Sequence, residues 1–158
     1  MTVVSYDIFT EAFLDKIKEY EFLNLLEYNR DKMIDGFMKR ALSEFKKNRK
    51  YDFIKTKNDE ERVFDFSEQP VAIQDGLDND IDELVDIVSD GMVCQWLKSY
   101  KNNQELLENI LNTRDFTSYS PAELLKQVRG TYNEAHKEFI QKIREYSYNH
   151  MDLGDLHS

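Results

Sequence analysis

Apolar residues recur at three- and four-residue steps over most of this chain, and each such run predicts a helix with one buried face. Ile8, Phe9, Phe13, Ile17 and Tyr20 form the first stripe, with Ser5 placed to cap its N-terminus. A second helix is expected from about Leu23 to Phe45. Its core face is Ile34, Phe37, Met38, Ala41, Leu42 and Phe45, and Asp31, Lys32, Asp35, Lys39 and Arg40 lie mostly outside. Gly36 inside that helix costs about 1 kcal/mol relative to Ala, so a close helix–helix approach is expected there.

The period breaks between Tyr51 and Asp75. "YDFIKT" and "RVFDF" alternate apolar and polar positions around the polar "KNDEE". That pattern suits a β-hairpin, and an extended loop is the alternative. The next helix is expected from about Asp80 to Tyr100. Ile81, Leu84, Val85, Val88, Met92 and Trp96 make its stripe, widened by Ile87, Val93, Cys94 and Leu97. A helix apolar over most of its circumference packs on more than one side, which places it at the centre of the fold. After the polar "KNNQ", Leu106, Leu107, Ile110 and Leu111 suggest a short helix.

The clearest start signal is "SPAE". Ser120 caps, Pro121 takes the first helical position and Glu123 completes a capping box. Leu124, Leu125, Val128, Tyr132, Ala135, Phe139, Ile143 and Tyr146 then continue the stripe. Through Tyr148 this is about 28 residues, or roughly 42 Å of helix. A globule of this length is only ~30 Å across, so the last turns either leave the body or run along it. The expected fold is mainly α: a helical bundle with a long C-terminal helix and an extended tail. The expected division is a domain over 1–145, with an acidic loop or hairpin inserted at 51–78, and a tail over 146–158.

Composition sharpens this picture. With 41% hydrophobic and 13% aromatic residues the chain has material for a core. Five Gly and two Pro suit long helices better than a many-turned β fold. No apolar run approaches the ~18 residues of a membrane span, and "MTVVSYDIFTEAF" lacks the pattern of a signal peptide. The lone Cys94 sits in an apolar run and excludes an intrachain disulfide, so a buried thiol in a reducing, intracellular setting is expected.

The net charge of −10 is concentrated in one block. Asp52 to Gly91 holds thirteen acidic and three basic residues, and the remainder of the chain is neutral. General nucleic-acid binding is disfavoured, since phosphate contact needs clustered cations. "KR" at 39–40 with "KKNRK" at 46–50 is read as a helix C-terminal cation cluster rather than a DNA patch. Asp78, Asp80 and Asp82 have the spacing of a calcium loop. Glu83 and Ser89 stand where that loop requires Gly and Glu, so these acids are read instead as ornaments of a helix N-terminus.

Catalytic chemistry is sparse in the sequence. His136 lies three residues after Asn133, where a bundle di-iron site needs Glu-x-x-His, and the other histidines are His150 and His157. No phosphate loop, nucleophile elbow, zinc spacing or dinucleotide fingerprint occurs. No enzyme activity, cofactor or metal is expected. The tail "YSYNHMDLGDLHS" is different, because it spaces apolar and aromatic side chains along a polar end. Docking on a partner is the preferred reading of it, and folding back on its own domain is the alternative.

"ELVDIVSDGMVCQWLKSY" and the stretch from Gln104 onward, notably "LNTRDFTSYSPA" and "YSYNHMDLGDLH", resemble the head–tail adaptor, or head-completion, proteins in the neck of tailed bacteriophages. The resemblance is strongest over residues 78–158. It implies a virion structural protein, assembled in the host cytoplasm, that forms a ring, commonly of twelve copies, beneath the portal protein. Such a ring extends the DNA channel, joins the capsid to the stopper or tail-completion protein, and passes genomic DNA without specific binding; no membrane is involved. It further implies that Tyr146, Tyr148, His150, Met151, Leu153, Leu156 and His157 face the portal. The acidic loop, with Asp59, Glu60, Glu61, Asp65 and Glu68, would then face either the lumen or a neighbour. The competing reading is a monomeric acidic protein that mimics DNA or otherwise blocks a host partner.

Overall fold

A computed structural model describes residues 3–18, 30–45, 51–101 and 121–149. The fold is mainly helical, with a small three-stranded antiparallel sheet. Strand β1 (Val3–Ser5) leads directly into helix α1 (Tyr6–Ile17). Ser5 caps that helix through a bond from the Asp7 amide at 3.1 Å, and Tyr6, Phe9 and Phe13 are its buried residues. Helix α2 (Arg30–Glu44) buries Ile34, Phe37, Met38, Ala41 and Leu42, the face its periodicity predicts. The expected start of this helix near Leu23 lies outside the described residues.

The segment after Tyr51 departs from the expected hairpin in one respect. "FIKT" is a single helical turn, α3 (Phe53–Thr56), rather than a strand. Asp52 explains it: its carboxylate accepts from the Ile54 and Lys55 amides at 3.1 and 2.9 Å, a cap that outweighs a short alternating pattern. The hairpin itself is present but small. Strands β2 (Lys57–Asn58) and β3 (Val63–Asp65) pair antiparallel. Asn58 turns the chain by accepting from the Glu60 and Glu61 amides at 3.1 and 3.2 Å. Strand β1 occupies the other edge of β3, a long-range pairing that local periodicity cannot announce.

Helix α4 (Val71–Lys101) begins nine residues before the expected start. "DGLDND" has weak helix propensity and reads locally as a turn. Burial decides otherwise: Leu77 is fully enclosed and Ile81 nearly so. Asp78, Asp80 and Asp82 therefore lie inside the helix rather than at its N-terminus, and the dipole account of them fails. Pro70 accepts from the Ile73 and Gln74 amides at 2.9 and 3.2 Å and opens the helix instead.

Helix α5 (Pro121–Asn149) starts at Pro121 as expected and has the predicted length, while the expected Ser120 cap lies outside the described residues. It runs through the expected boundary between 145 and 146, and Tyr146 is buried against Phe45 with ring centroids 5.3 Å apart. The domain body therefore extends past residue 145. Helix α4 is the centre, in contact with α1, α2 and α5. At Gly36, expected at a close crossing, an added Cβ would meet only the Arg40 guanidinium of its own helix, at 3.7 Å. The close crossing is at Gly91, where an added Cβ would lie 2.7 Å from the Phe139 ring and 2.8 Å from the Ala41 Cβ.

Candidate functional site

The middle of α4 carries Asp86 and Asp90 one helical turn apart, on one face. Two lysines reach them from opposite directions. Lys16, at the end of α1, donates to the Asp86 carbonyl at 2.7 Å, to Asp86 Oδ1 at 2.8 Å and to Asp90 Oδ1 at 2.7 Å. Lys142 of α5 lies 2.9 Å from Asp86 Oδ2 and 2.5 Å from Asp90 Oδ2. Each lysine touches both aspartates, so the four side chains form a ring of alternating charge across three helices.

A cavity of about 210 Å³ adjoins the ring, lined also by Val93, Ala135 and Glu138. Burial alone would raise the Asp86 carboxyl, but the bonds from Lys16 and Lys142 outweigh it and hold it below the usual range. Burial likewise opposes the charge on Lys142, yet Asp90 and Asp86 raise it above the ordinary lysine value. Both helix partners thus remain charged near neutrality. The two ammonium groups are fully engaged by carboxylates, so the ring acts as a joint.

A second polar group lies between α2, α4 and α5. Gln95 donates to Glu44 at 2.7 Å, and His136 Nε2 lies 3.7 Å from the other Glu44 oxygen while stacking on Tyr132 at 5.5 Å. Cys94 is buried, and burial together with Glu44 and Asp90 pushes its thiol up to about 12, which makes it unreactive. Among the described residues no group of three His, Cys, Asp or Glu is arranged to hold a metal ion. The calcium-like spacing illustrates why: on a helix, Asp80 points away from the face that Asp78 and Asp82 share, and it instead accepts the Tyr51 hydroxyl at 2.6 Å.

The expected tail group separates into two kinds. Tyr146 is core, whereas Tyr148 is 76% exposed on the last turn of α5. Tyr146 is therefore withdrawn from the partner-facing set. His150, Met151, Leu153, Leu156 and His157 lie outside the described residues. The acidic-loop residues are also unequal. Asp59 accepts the Tyr6 hydroxyl at 2.8 Å and pairs with Lys39 at 2.9 Å, and these two partners hold its carboxyl low. Asp65 accepts from the Ser67 amide at 2.9 Å, while Glu60, Glu61 and Glu68 are exposed. Arg62, one of three cations in this segment, adopts φ 53° and is held by Asp35 through two bonds and by Asp7 through one, at 2.8–2.9 Å.

Sequence reasoning missed the Lys16–Asp86–Lys142–Asp90 ring. The i,i+4 aspartates were visible, but partners 70 and 56 residues away from Asp86 were not. No family model matches this chain, and comparisons with curated proteins and with solved structures found no match. No helix among the described residues is long and apolar enough to cross a membrane.

Proposed function

We propose that this chain is a structural interaction protein, a head–tail adaptor subunit that joins a phage capsid to its tail. In this reading copies assemble as a ring beneath the portal protein, and the C-terminal tail docks on the portal. The observation that carries it is the end of α5. The helix stays on the body through Tyr146 and then presents Tyr148, 76% exposed, just before a nine-residue segment with Met151, Leu153 and Leu156. An apolar hook of that size buried in a partner contributes about 1.5–3 kcal/mol. The sequence resemblance over residues 78–158 supplies the identity of the partner.

The rival acidic mimic requires carboxylates that look outward. Four of the thirteen, Asp59, Asp80, Asp86 and Asp90, are instead engaged by the chain's own tyrosines and lysines.

The test is binding to the cognate portal complex, read by negative-stain imaging and mass photometry. Three chains are compared: full length, one ending at Asn149, and full length carrying Leu153→Ala with Leu156→Ala. The chain must not be cut at Glu145, because Tyr146 belongs to the core. Ring decoration of the portal by the full chain, lost in both variants while helicity is kept, is the expected result. A full-length protein that stays monomeric beside the portal overturns the reading.

A further inference from the structure

Besides its buried Val128, Ile143 and Tyr146, helix α5 meets the body through two unlike contacts at one level of α4. On one side the Phe139 ring lies so close to Gly91 and Ala41 that nothing larger than hydrogen fits. On the other side is the Lys16–Asp86–Lys142–Asp90 ring, bordered by the 210 Å³ cavity rather than by interlocked apolar side chains. Among the described residues, the hydrogen bonds and ion pairs linking α1 toward α5 run through Asp86 and Asp90.

We propose that the ring is an electrostatic clasp that couples α1 to α5, and that opening it lets α5 rock about the Gly91–Phe139 contact while the apolar core stays intact. The geometry suits such a device. Contacts shared by all four groups act as a unit, so losing one charge weakens every pair. The charged groups facing one another are Lys16 from α1, Asp86 and Asp90 from α4, and Glu138 and Lys142 from α5. With the carboxylates neutralised, two ammonium groups would remain beside one cavity without counter-charge. Asp86 is half exposed, so added salt reaches the clasp directly. The moving part would carry Tyr148 at its outer end, and α1 carries the small sheet at its start. The clasp therefore links the helix that follows the small sheet to the helix that carries Tyr148, whether or not the portal is the partner.

The test measures the distance distribution between labels on Glu11→Cys and Arg144→Cys, both exposed positions. Cys94 can be retained, because its buried thiol does not compete for label. The full chain is compared at about 50 mM and about 1 M salt, where the Debye length falls to ~3 Å. The emission of the sole tryptophan, buried Trp96, reports that the core is intact. The expected result is a narrow distribution at low salt that broadens at high salt with Trp96 unchanged. Lys142→Met should be broad in both, and Lys142→Arg narrow at low salt. A distribution that stays narrow in the full chain at high salt overturns the clasp. That measurement decides the matter even if Lys142→Met does not fold.

Discussion

The two sides of α4 between Asp86 and Gly91 hold the same neighbour by opposite means. At Gly91 the contact is steric, apolar and intolerant of added atoms. At Asp86 and Asp90 it is ionic, partly wet and next to free volume. The first sets where α5 can sit, because close packing has few solutions. The second sets how firmly it is tied, under conditions that solvent controls. A helix can thus be located by one face and regulated by the other.

The contrast can be broken most severely at its steric side. Phe139→Ala removes a fully buried ring from the crossing and is expected to cost about 3–5 kcal/mol, measured by urea unfolding of Trp96 emission. Gly91→Val should cost about 1–3 kcal/mol by overpacking against Phe139 and Ala41, and its loss should not change between low and high salt. Removing one charge of the ring is gentler. Lys142→Met leaves Asp90 with one partner fewer and should cost about 1 kcal/mol at low salt, shrinking at high salt, because the group is about one-third exposed. If instead Gly91→Val is salt-sensitive and Lys142→Met is not, the division between the two sides is mistaken.

The pH response separates them further. Asp86 is held below its ordinary value, so its contribution is present above the unfolded carboxylate pKa of about 3.9 and is lost as pH falls through the lower folded value. Lys142 is raised, so its contribution is present below the unfolded lysine pKa of about 10.4 and is lost as pH rises through the higher folded value. The contributions of these two groups should therefore be constant between these limits. Asp86→Asn should flatten part of the acid decline and leave the Gly91 side untouched. The smallest effect is of opposite sign: Gly130→Ala, on an exposed face with open space around it, should stabilise by about 0.5–1 kcal/mol.

These differences also mark what local sequence can reveal. The Ser5 cap, the α2 core stripe and the Pro121 start were legible because each depends on residues within one or two turns. The start of α4 was not, since "DGLDND" looks like a turn until Leu77 and Ile81 are seen to be enclosed. Strand β1 was invisible for the same reason, as its partner β3 lies some sixty residues away. The two glycines were exchanged: propensity flags Gly36 and Gly91 alike, and only packing shows which one is crowded. At the candidate site, Tyr146 and Tyr148 share a sequence signature, and the helical angle alone sends one inward and the other out.

The placement of Arg62 has a consequence for the order in which the molecule is made. Its backbone carbonyl accepts from the Tyr6 amide at 2.9 Å, and its guanidinium joins Asp7 to Asp35. During synthesis the beginning of α1 must wait for residue 62 to leave the ribosome before its end is tied. Phe9 waits likewise for Phe53 and Phe64, and Phe13 for Trp96. Long-range closure of this kind is slow and leaves aromatic surface uncovered meanwhile. Until Trp96 has emerged, the apolar faces of α1 and α2 lack their central partner, and that interval is when they are most exposed to wrong association.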